Sequence, residues 1–379
     1  MLSAWQTDYY KKKKKGSFTD FSVDKGKYNM KKRYLVLQDK TVFEGYAFGA
    51  DCEKVGELIF STNVVGYIEL LTDPCYYGQI VAQTFPMIGN YGIIEEDFIG
   101  KPALSGYVVR EWCSAPSNFR CEYDIDKFLK ENGIPGIYGV DTRELTNIIR
   151  DGGIKNAMIC DEIPADFSAL ESYKIVDAVK NTVSAEKAEY IPEGEAKANL
   201  AIINFGSTKK MELALKDKGY KVTVLPYDVK AEDVLALGAD AVILSEGAGN
   251  PEEMNDAAAE INKLMGKVPM FGIGLGHQIM AIAKGAEIEK LPYGHHGGNQ
   301  PAKIVGTART LITSQNHNYA VKESSIKEGT VSHFNGNDKS VEGIAYEKSY
   351  ALSVQFEVSA DYVIEKLEKV MEEFNNAAE

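Results

Sequence analysis

The 379-residue sequence contains no run near the ~18 consecutive apolar residues of a membrane-spanning helix, and no apolar segment follows its lysines at 11–15 as a secretory leader demands. Transmembrane and secreted classes are therefore set aside, and a cytoplasmic protein is expected. Cysteine is scarce: five residues, at 52, 75, 113, 121 and 160, form an odd set without a Cys-x-x-Cys pair. Such spacing offers neither a disulfide framework nor a structural zinc site, so free thiols are expected and no metal ligands are assigned. Positive charge is concentrated in residues 1–33, which hold ten Lys/Arg against three Asp, a net of +7; the formal total is −13, leaving −20 for the remainder. A body that acidic carries no electrostatic footprint for nucleic acid. The lysine run is either an arm for nucleic acid or a membrane surface, or a disordered leader; the leader is the simpler reading, and it is placed at 1–33.

What is present describes an ordinary globular chain, 44% hydrophobic and 26% charged, long enough for two domains. From residue 34 to 180 the apolar runs are short and separated by turn signals, with YLVLQD, TVFEGYAFG, GELIFST and QIVAQTF reading as strands. Asp141-Thr-Arg-Glu144 has capping-box spacing before Leu145, Ile148 and Ile149, which predicts a helix starting at that aspartate. Residues 181–197 lose apolar periodicity and are read as a linker. Residues 198–379 then alternate: strands at ANLAIINFG, YKVTVLPYD, ADAVILSEG and VPMFGIG, each followed by a helical pattern, the last from His277. That rhythm predicts a doubly wound, mostly parallel α/β sheet behind a strand-rich α/β N-terminal domain. A closing amphipathic helix is predicted over Tyr362–Met371. No internal repeat is present.

Ligands of doubly wound sheets bind at the carboxyl ends of the strands, where this sequence places two glycine clusters, Gly247-Ala-Gly-Asn-Pro251 and Gly272-Ile-Gly-Leu-Gly276. A phosphate-binding turn is one reading of the second. It is weakened because the string is G-x-G-x-G rather than G-x-G-x-x-G, follows the fourth strand of its domain, and no G-K-[ST] occurs. A purely structural tight turn is another. The third is a nucleophile elbow, a strained strand-to-helix turn that presents its middle residue beside backbone N–H donors.

The whole string Phe271-Gly-Ile-Gly-Leu-Gly-His-Gln278 resembles the elbow of class I, triad-type glutamine amidotransferases, which reads G-[IV]-C-[LF]-G-H-Q. Thr41-Val-Phe-Glu-Gly45, Leu71-Thr-Asp-Pro74, Ile88-Gly-Asn-Tyr-Gly92, Pro116-Ser-Asn118 and Gly136-Ile-Tyr-Gly-Val-Asp-Thr-Arg143 narrow the resemblance to the small subunit of carbamoyl phosphate synthetase. Gly294-His-His-Gly-Gly-Asn299, Ser314-Gln-Asn-His317 and Val341-Glu-Gly-Ile344 extend it, so that it covers residues 34 to 360. The resemblance implies a heterodimer with a large subunit that carries the ATP and Mg sites, no cofactor in this chain, and service to arginine or pyrimidine synthesis. It also implies an oxyanion hole from the amides of Gly247 and Leu275. Glutamine contacts are implied at Cys75, Gly247, Gly249, Leu275, Gln278, Asn316, Asn318 and Tyr319.

The triad itself is not where the family has it. Gly274 stands at the cysteine position, and the closing Q-[FY]-H-P-E has become Gln355-Phe-Glu-Val-Ser359, so Glu357 replaces the histidine and Ser359 the glutamate. Thiolate attack needs the nucleophile, its base and the orienting carboxylate together. No glutaminase activity is expected. The pocket also departs from the pattern at Cys75 for serine, Asn318 for glycine and Ser245-Glu-Gly-Ala-Gly-Asn-Pro251 for S-N-G-P-G-D-P. Three readings stay open: a non-hydrolysing structural subunit, a glutamine-binding sensor with L-glutamine as ligand, and an active enzyme with rearranged groups such as Cys75. Hydrogen-bonded structural roles are the simpler reading of the five histidines, as an inert thiol is for Cys75.

Overall fold

A computed structural model describes residues 31–184 and 186–378. Apart from its last three positions, the expected leader lies outside the described residues.

Nine strands run from Lys32 to Cys160: β1 (Lys32–Leu37), β2 (Val42–Gly49), β3 (Lys54–Ser61), β4 (Gln79–Gln83), β5 (Met87–Ile88), β6 (Gly106–Val109), β7 (Glu111–Trp112), β8 (Pro135–Tyr138) and β9 (Lys155–Cys160). Seven close into a barrel in the order β1-β2-β8-β6-β4-β3-β9, and β5 pairs with β7 apart from it. Alternation along these strands sorts their side chains into two cores. Leu35, Leu37, Leu58, Ile80, Val108 and Ile159 meet Leu145 and Ile149 of the helix Thr142–Gly152. The alternate residues Phe48, Ile59, Val81, Tyr107 and Val109 pack with the helices Tyr67–Thr72 and Ile125–Glu131. The predicted cap holds: the Asp141 carboxylate accepts the N–H groups of Arg143 and Glu144.

One boundary is corrected. Arg33, assigned to the basic leader, is a fully buried residue of β1. Its guanidinium donates to the carboxylates of Asp161 (2.9 Å) and Asp51 (3.3 Å) and to the carbonyls of Ala50 (3.0 Å) and Gly136 (3.3 Å). A buried guanidinium is tolerated because its donors are shared among those acceptors.

The remaining strands form one ten-stranded sheet: β10 (Ala188–Tyr190), β11 (Asn199–Asn204), β12 (Lys221–Pro226), β13 (Ala241–Leu244), β14 (Met270–Ile273), β15 (Ile288–Ile304), β16 (Thr310–Val321), β17 (Thr330–Asn335), β18 (Val341–Tyr346) and β19 (Ala351–Val354). Their order is β10-β12-β11-β13-β14-β19-β18-β16-β15-β17. The five strands from β12 to β19 pair in parallel, as the strand–helix rhythm predicts. Both faces are covered. Ala201, Ile203, Val242 and Leu244 pack toward the helices Asn255–Leu264 and Leu275–Ala283, while Leu200, Ile202, Ile243 and Phe271 pack toward Lys209–Asp217 and Ala360–Ala378. The antiparallel extension β18-β16-β15-β17 is a departure from the mostly parallel expectation. So is β10, which forms inside the stretch read as a linker and pairs antiparallel with β12 as the outermost strand on that side.

The barrel and the sheet meet where β15 passes β3. The Lys290 amine pairs with the Glu57 carboxylate. The Ile154 N–H donates to the Pro292 carbonyl at 2.7 Å, and the Thr62 N–H to the His296 carbonyl at 3.4 Å. Among the described residues no helix is long and apolar enough to cross a membrane.

Candidate functional site

β14 lies between β13 and β19, both parallel to it, so the turn from β14 into the helix Leu275–Ala283 emerges at the carboxyl edge of the sheet. Gly274 forms that turn with φ 54° and ψ −111°, a backbone conformation that strains any residue bearing a side chain. Its N–H donates to the Val354 carbonyl at 2.9 Å, which ties the elbow to the end of β19. The segment leaving β19 then carries Glu357, whose N–H donates to the Ser314 carbonyl at 3.0 Å. Leu275 is the first residue of its helix, a position whose amide has no intrahelical partner. Gly247 presses against the same helix: a Cβ there would lie 2.3 Å from the Phe205 oxygen and 2.8 Å from the Leu275 side chain. Only glycine permits that approach.

A cavity of about 480 Å³ opens at this edge. Gly274, Glu357, Cys75, Gly247, Gly249, Leu275, Gln278, Asn316, Asn318 and Tyr319 all line it. Ser359 does not. It lines a neighbouring cavity of about 800 Å³, and its hydroxyl accepts the Tyr362 N–H at 3.3 Å, the bond of a helix N-cap at the start of Ala360–Ala378.

The polar wall is largely occupied by its own hydrogen bonds. Gln278 donates from Nε2 to the Tyr319 carbonyl (2.7 Å) and to Gln355 Oε1 (2.8 Å), joining the elbow helix to β16 and to the segment after β19. Asn318 donates to the Glu57 carboxylate and presents Oδ1 to His296 Nε2 at 2.8 Å. Asn316 presents Oδ1 to His296 Nδ1 at 2.8 Å. His317 is the one histidine among the cavity-lining residues, and its Nδ1 donates to the Tyr319 carbonyl at 2.8 Å. Burial and the neighbouring imidazoles hold its pKa well below the ordinary histidine range. Gly249, with φ 95°, sits against Ala178 of the helix Ala178–Thr182, which closes this side of the wall.

Two carboxylates had not been singled out as site residues: Glu246 and Asp73, which line both cavities together with Glu357. Glu246 belongs to Ser245-Glu-Gly-Ala-Gly-Asn-Pro251 and Asp73 to Leu71-Thr-Asp-Pro74, but only the fold brings three separate loops together. Burial, then Glu357, then Asp73 push the Glu246 carboxyl up to about 8. Glu357 reaches the water of the cavities, yet burial and Asp73 raise it to about 7. Asp73 is raised by burial, while its bonds from Cys75 and Asn316 act the other way. At neutral pH this is a crowded acidic site that holds protons tightly.

Cys75 sits in the turn Pro74–Tyr76, where its N–H bonds the Asp73 carboxylate at 2.8 Å. Burial and then the carboxylates of Asp73, Glu246 and Glu357 push its thiol well above the ordinary cysteine range. The thiolate is the reactive form, and each unit of increase removes about nine-tenths of it at neutral pH. Peptide mapping after iodoacetamide treatment at pH 7.5 is therefore expected to show Cys75 alkylated at least about tenfold more slowly than a free thiol of ordinary pKa. Equal rates would contradict the electrostatics of this wall.

Residues 35–159 match the family described as carbamoyl-phosphate synthase small chain, CPSase domain, and residues 201–357 match glutamine amidotransferase class-I. The carbamoyl phosphate synthase small chain of Clostridium perfringens is 43% identical over 348 residues, 90% of this chain and 98% of the relative. That of Fusobacterium nucleatum is 42% identical over 335 residues, 87% and 94% of the two chains. The chain belongs to the carbamoyl phosphate synthase small-chain family. Its second half carries the class-I glutamine amidotransferase domain of that family. Among solved structures, a glutamine amidotransferase from Thermotoga maritima aligns at 18% identity and a TM-score of 0.34, over 48% of this chain and 84% of its own.

Proposed function

We propose that this family member is a small chain that no longer hydrolyses glutamine and acts as a structural or regulatory subunit of a carbamoyl phosphate synthase fed by free ammonia. The observation that carries the reading is the elbow: a glycine with no nucleophile occupies the turn, and an acid, Glu357, lines the same cavity at the sequence position where the family pattern has histidine. A carboxyl raised to about 7 can exchange protons, but there is no thiol at 274 for it to activate. The large chain, with its ATP and Mg sites, is the partner, and glutamine of that complex is replaced by ammonia delivered from solution. The relatives named above support the partner through their designation as small chains.

A second reading is favoured by the cavity itself. Gly247 and Leu275, to whose amides the resemblance assigns an oxyanion hole, both line the cavity, which supports a site that holds glutamine uncleaved and reports on its level. Catalysis by Cys75 is the weakest reading, because its environment keeps the thiol protonated.

The test is calorimetric titration of the purified chain with L-glutamine, with ammonia assayed in the same sample, followed by titration with the large chain. No ammonia is expected above the buffer control, together with binding of the large chain. Ammonia release that disappears in Cys75→Ala would overturn the reading in favour of rearranged catalysis. Heat of glutamine binding without ammonia would assign the sensor role instead.

A further inference from the structure

Three buried residues on three strands converge at and beneath the cavity wall: His295 on β15, His317 on β16, which also lines the cavity, and Glu342 on β18, with ligating atoms all within 4.8 Å of one another. Their outward hydrogen bonds fix which atoms face inward. His295 Nε2 donates to Asp338 Oδ2 at 2.9 Å, while Nδ1 faces Glu342 Oε1 at 3.4 Å and the Asn335 amide, whose Nδ2 lies 3.3 Å from Nδ1 and donates to Glu342 Oε1 at 2.9 Å; an ion held by Nδ1 and Oε1 would displace that amide contact. His317 Nδ1 faces the Tyr319 carbonyl, which can only accept, so in the neutral ring Nε2 bears a lone pair. That lone pair points at Gln315 Oε1, 3.2 Å away. The Gln315 amide cannot turn to relieve the clash, because its Nε2 donates to Glu342 Oε2 (2.9 Å) and to Thr313 Oγ1 (3.1 Å).

Two acceptors facing each other in a buried site lack the donor that such groups normally find. From this juxtaposition we infer that His295, His317 and Glu342, with Gln315 Oε1 as fourth donor, form a binding site for a divalent zinc-type cation. Two pairs already have the spacing of such a centre. Zinc at about 2.0–2.1 Å from tetrahedral N and O ligands sets them roughly 3.3 Å apart, against 3.2 Å for His317–Gln315 and 3.4 Å for His295–Glu342, while the separations among His295, His317 and Glu342 reach up to 4.8 Å and would close by side-chain rotation on the ion. Two imidazoles with a carboxylate and an amide oxygen are borderline ligands, suited to zinc or cobalt rather than magnesium or calcium. Each is also held from behind: His295 by Asp338, His317 by a backbone carbonyl, Glu342 by the Gln315 amide. Such outer bonds orient the ligands of metal centres. No sequence signature announces the set, since its members come from separate strands of the antiparallel extension. The ion would pin that extension behind the Tyr319 wall and take no part in the chemistry discussed above.

Because its three residues are buried within the sheet, loading is expected to accompany folding. The full chain produced in medium supplemented with zinc or cobalt is expected to retain about one ion per chain after gel filtration. The cobalt form is expected to show the visible d–d absorption of a tetrahedral centre. His295→Gln and Glu342→Gln should lose the ion, and Asp338→Asn should weaken retention about tenfold or more. Should those variants fail to fold, X-ray absorption of the wild-type metal form decides, with two imidazoles expected around the ion. Less than about a tenth of an equivalent in the wild type, an ion retained equally by His295→Gln, or an absorption spectrum without imidazole would overturn the site. Those results would leave a protonated His295 bridging Asp338 and Glu342 in its place.

Discussion

Gly274→Cys is expected to leave ammonia release from glutamine at the uncatalysed background and to lower the stability of the chain. The thiol alone restores one member of a unit whose parts act together; in a serine triad, losing the nucleophile or its base alone costs about as much as losing all three, roughly a million-fold. At 357 the new thiol meets a carboxyl rather than an imidazole, and at 246 a second carboxyl holds the site acidic. Burial among those acids keeps a thiol protonated, as it does Cys75. The stability cost has two sources. A side chain at φ 54° costs about 1–3 kcal/mol in backbone strain, and a Cβ at 274 comes within 3.3 Å of the Glu246 Cβ, so that loop must give way.

Adding the base as well, in Gly274→Cys with Glu357→His, is expected to produce the first ammonia above background. Completing the set with Ser359→Glu carries its own penalty, since the Ser359 hydroxyl caps the helix Ala360–Ala378, and loss of such a cap costs about 1 kcal/mol. Steady-state ammonia assays on the three variants, with urea unfolding alongside, check the series. The single variant Gly274→Cys hydrolysing glutamine would falsify the loss of function.

The parallel half of the large sheet was legible because strands buried on both faces read as continuous apolar runs, AIIN, VTVL, AVIL and MFGI, each separated by a helical pattern. The cap at Asp141 was legible for a similarly local reason. Closure of the barrel was not, because it depends on β9 returning to pair with both β1 and β3 across the whole domain. Arg33 was misplaced since three successive basic residues look like a solvated tail, whereas its acceptors come from residues 50, 51, 136 and 161. At the site, the elbow string and the closing motif located Gly274 and Glu357. The acidic character of the cavity stayed hidden because Asp73, Glu246 and Glu357 approach it from three different loops.

That acidity has a measurable consequence for stability. A carboxyl whose pKa is higher in the folded chain than in the unfolded one binds its proton more tightly when folded. Stability is then fully present below the unfolded value, near 4.5, and is lost as pH rises through the folded value. For Glu246 the window runs from about 4.5 to about 8, and for Glu357 to about 7. Glu246→Gln removes the titration while keeping the shape of the side chain. Compared with the wild type, the variant is expected to show no specific advantage at pH 4.5 and a growing one toward pH 8.5, exceeding about 1.4 kcal/mol, the worth of a single pKa unit. Glu357→Gln should follow the same sign with a smaller gain, because Glu357 remains in contact with the water of the two cavities. The two effects should fall short of adding, since the Glu357 charge raises the cost of ionising Glu246. Urea midpoints for the wild type, both variants and the double variant across this range measure it. A difference from the wild type that stays constant between pH 4.5 and 8.5 would mean that these carboxyls ionise as freely in the folded chain as in the unfolded one, and that the cavity is not the proton-holding site its geometry describes.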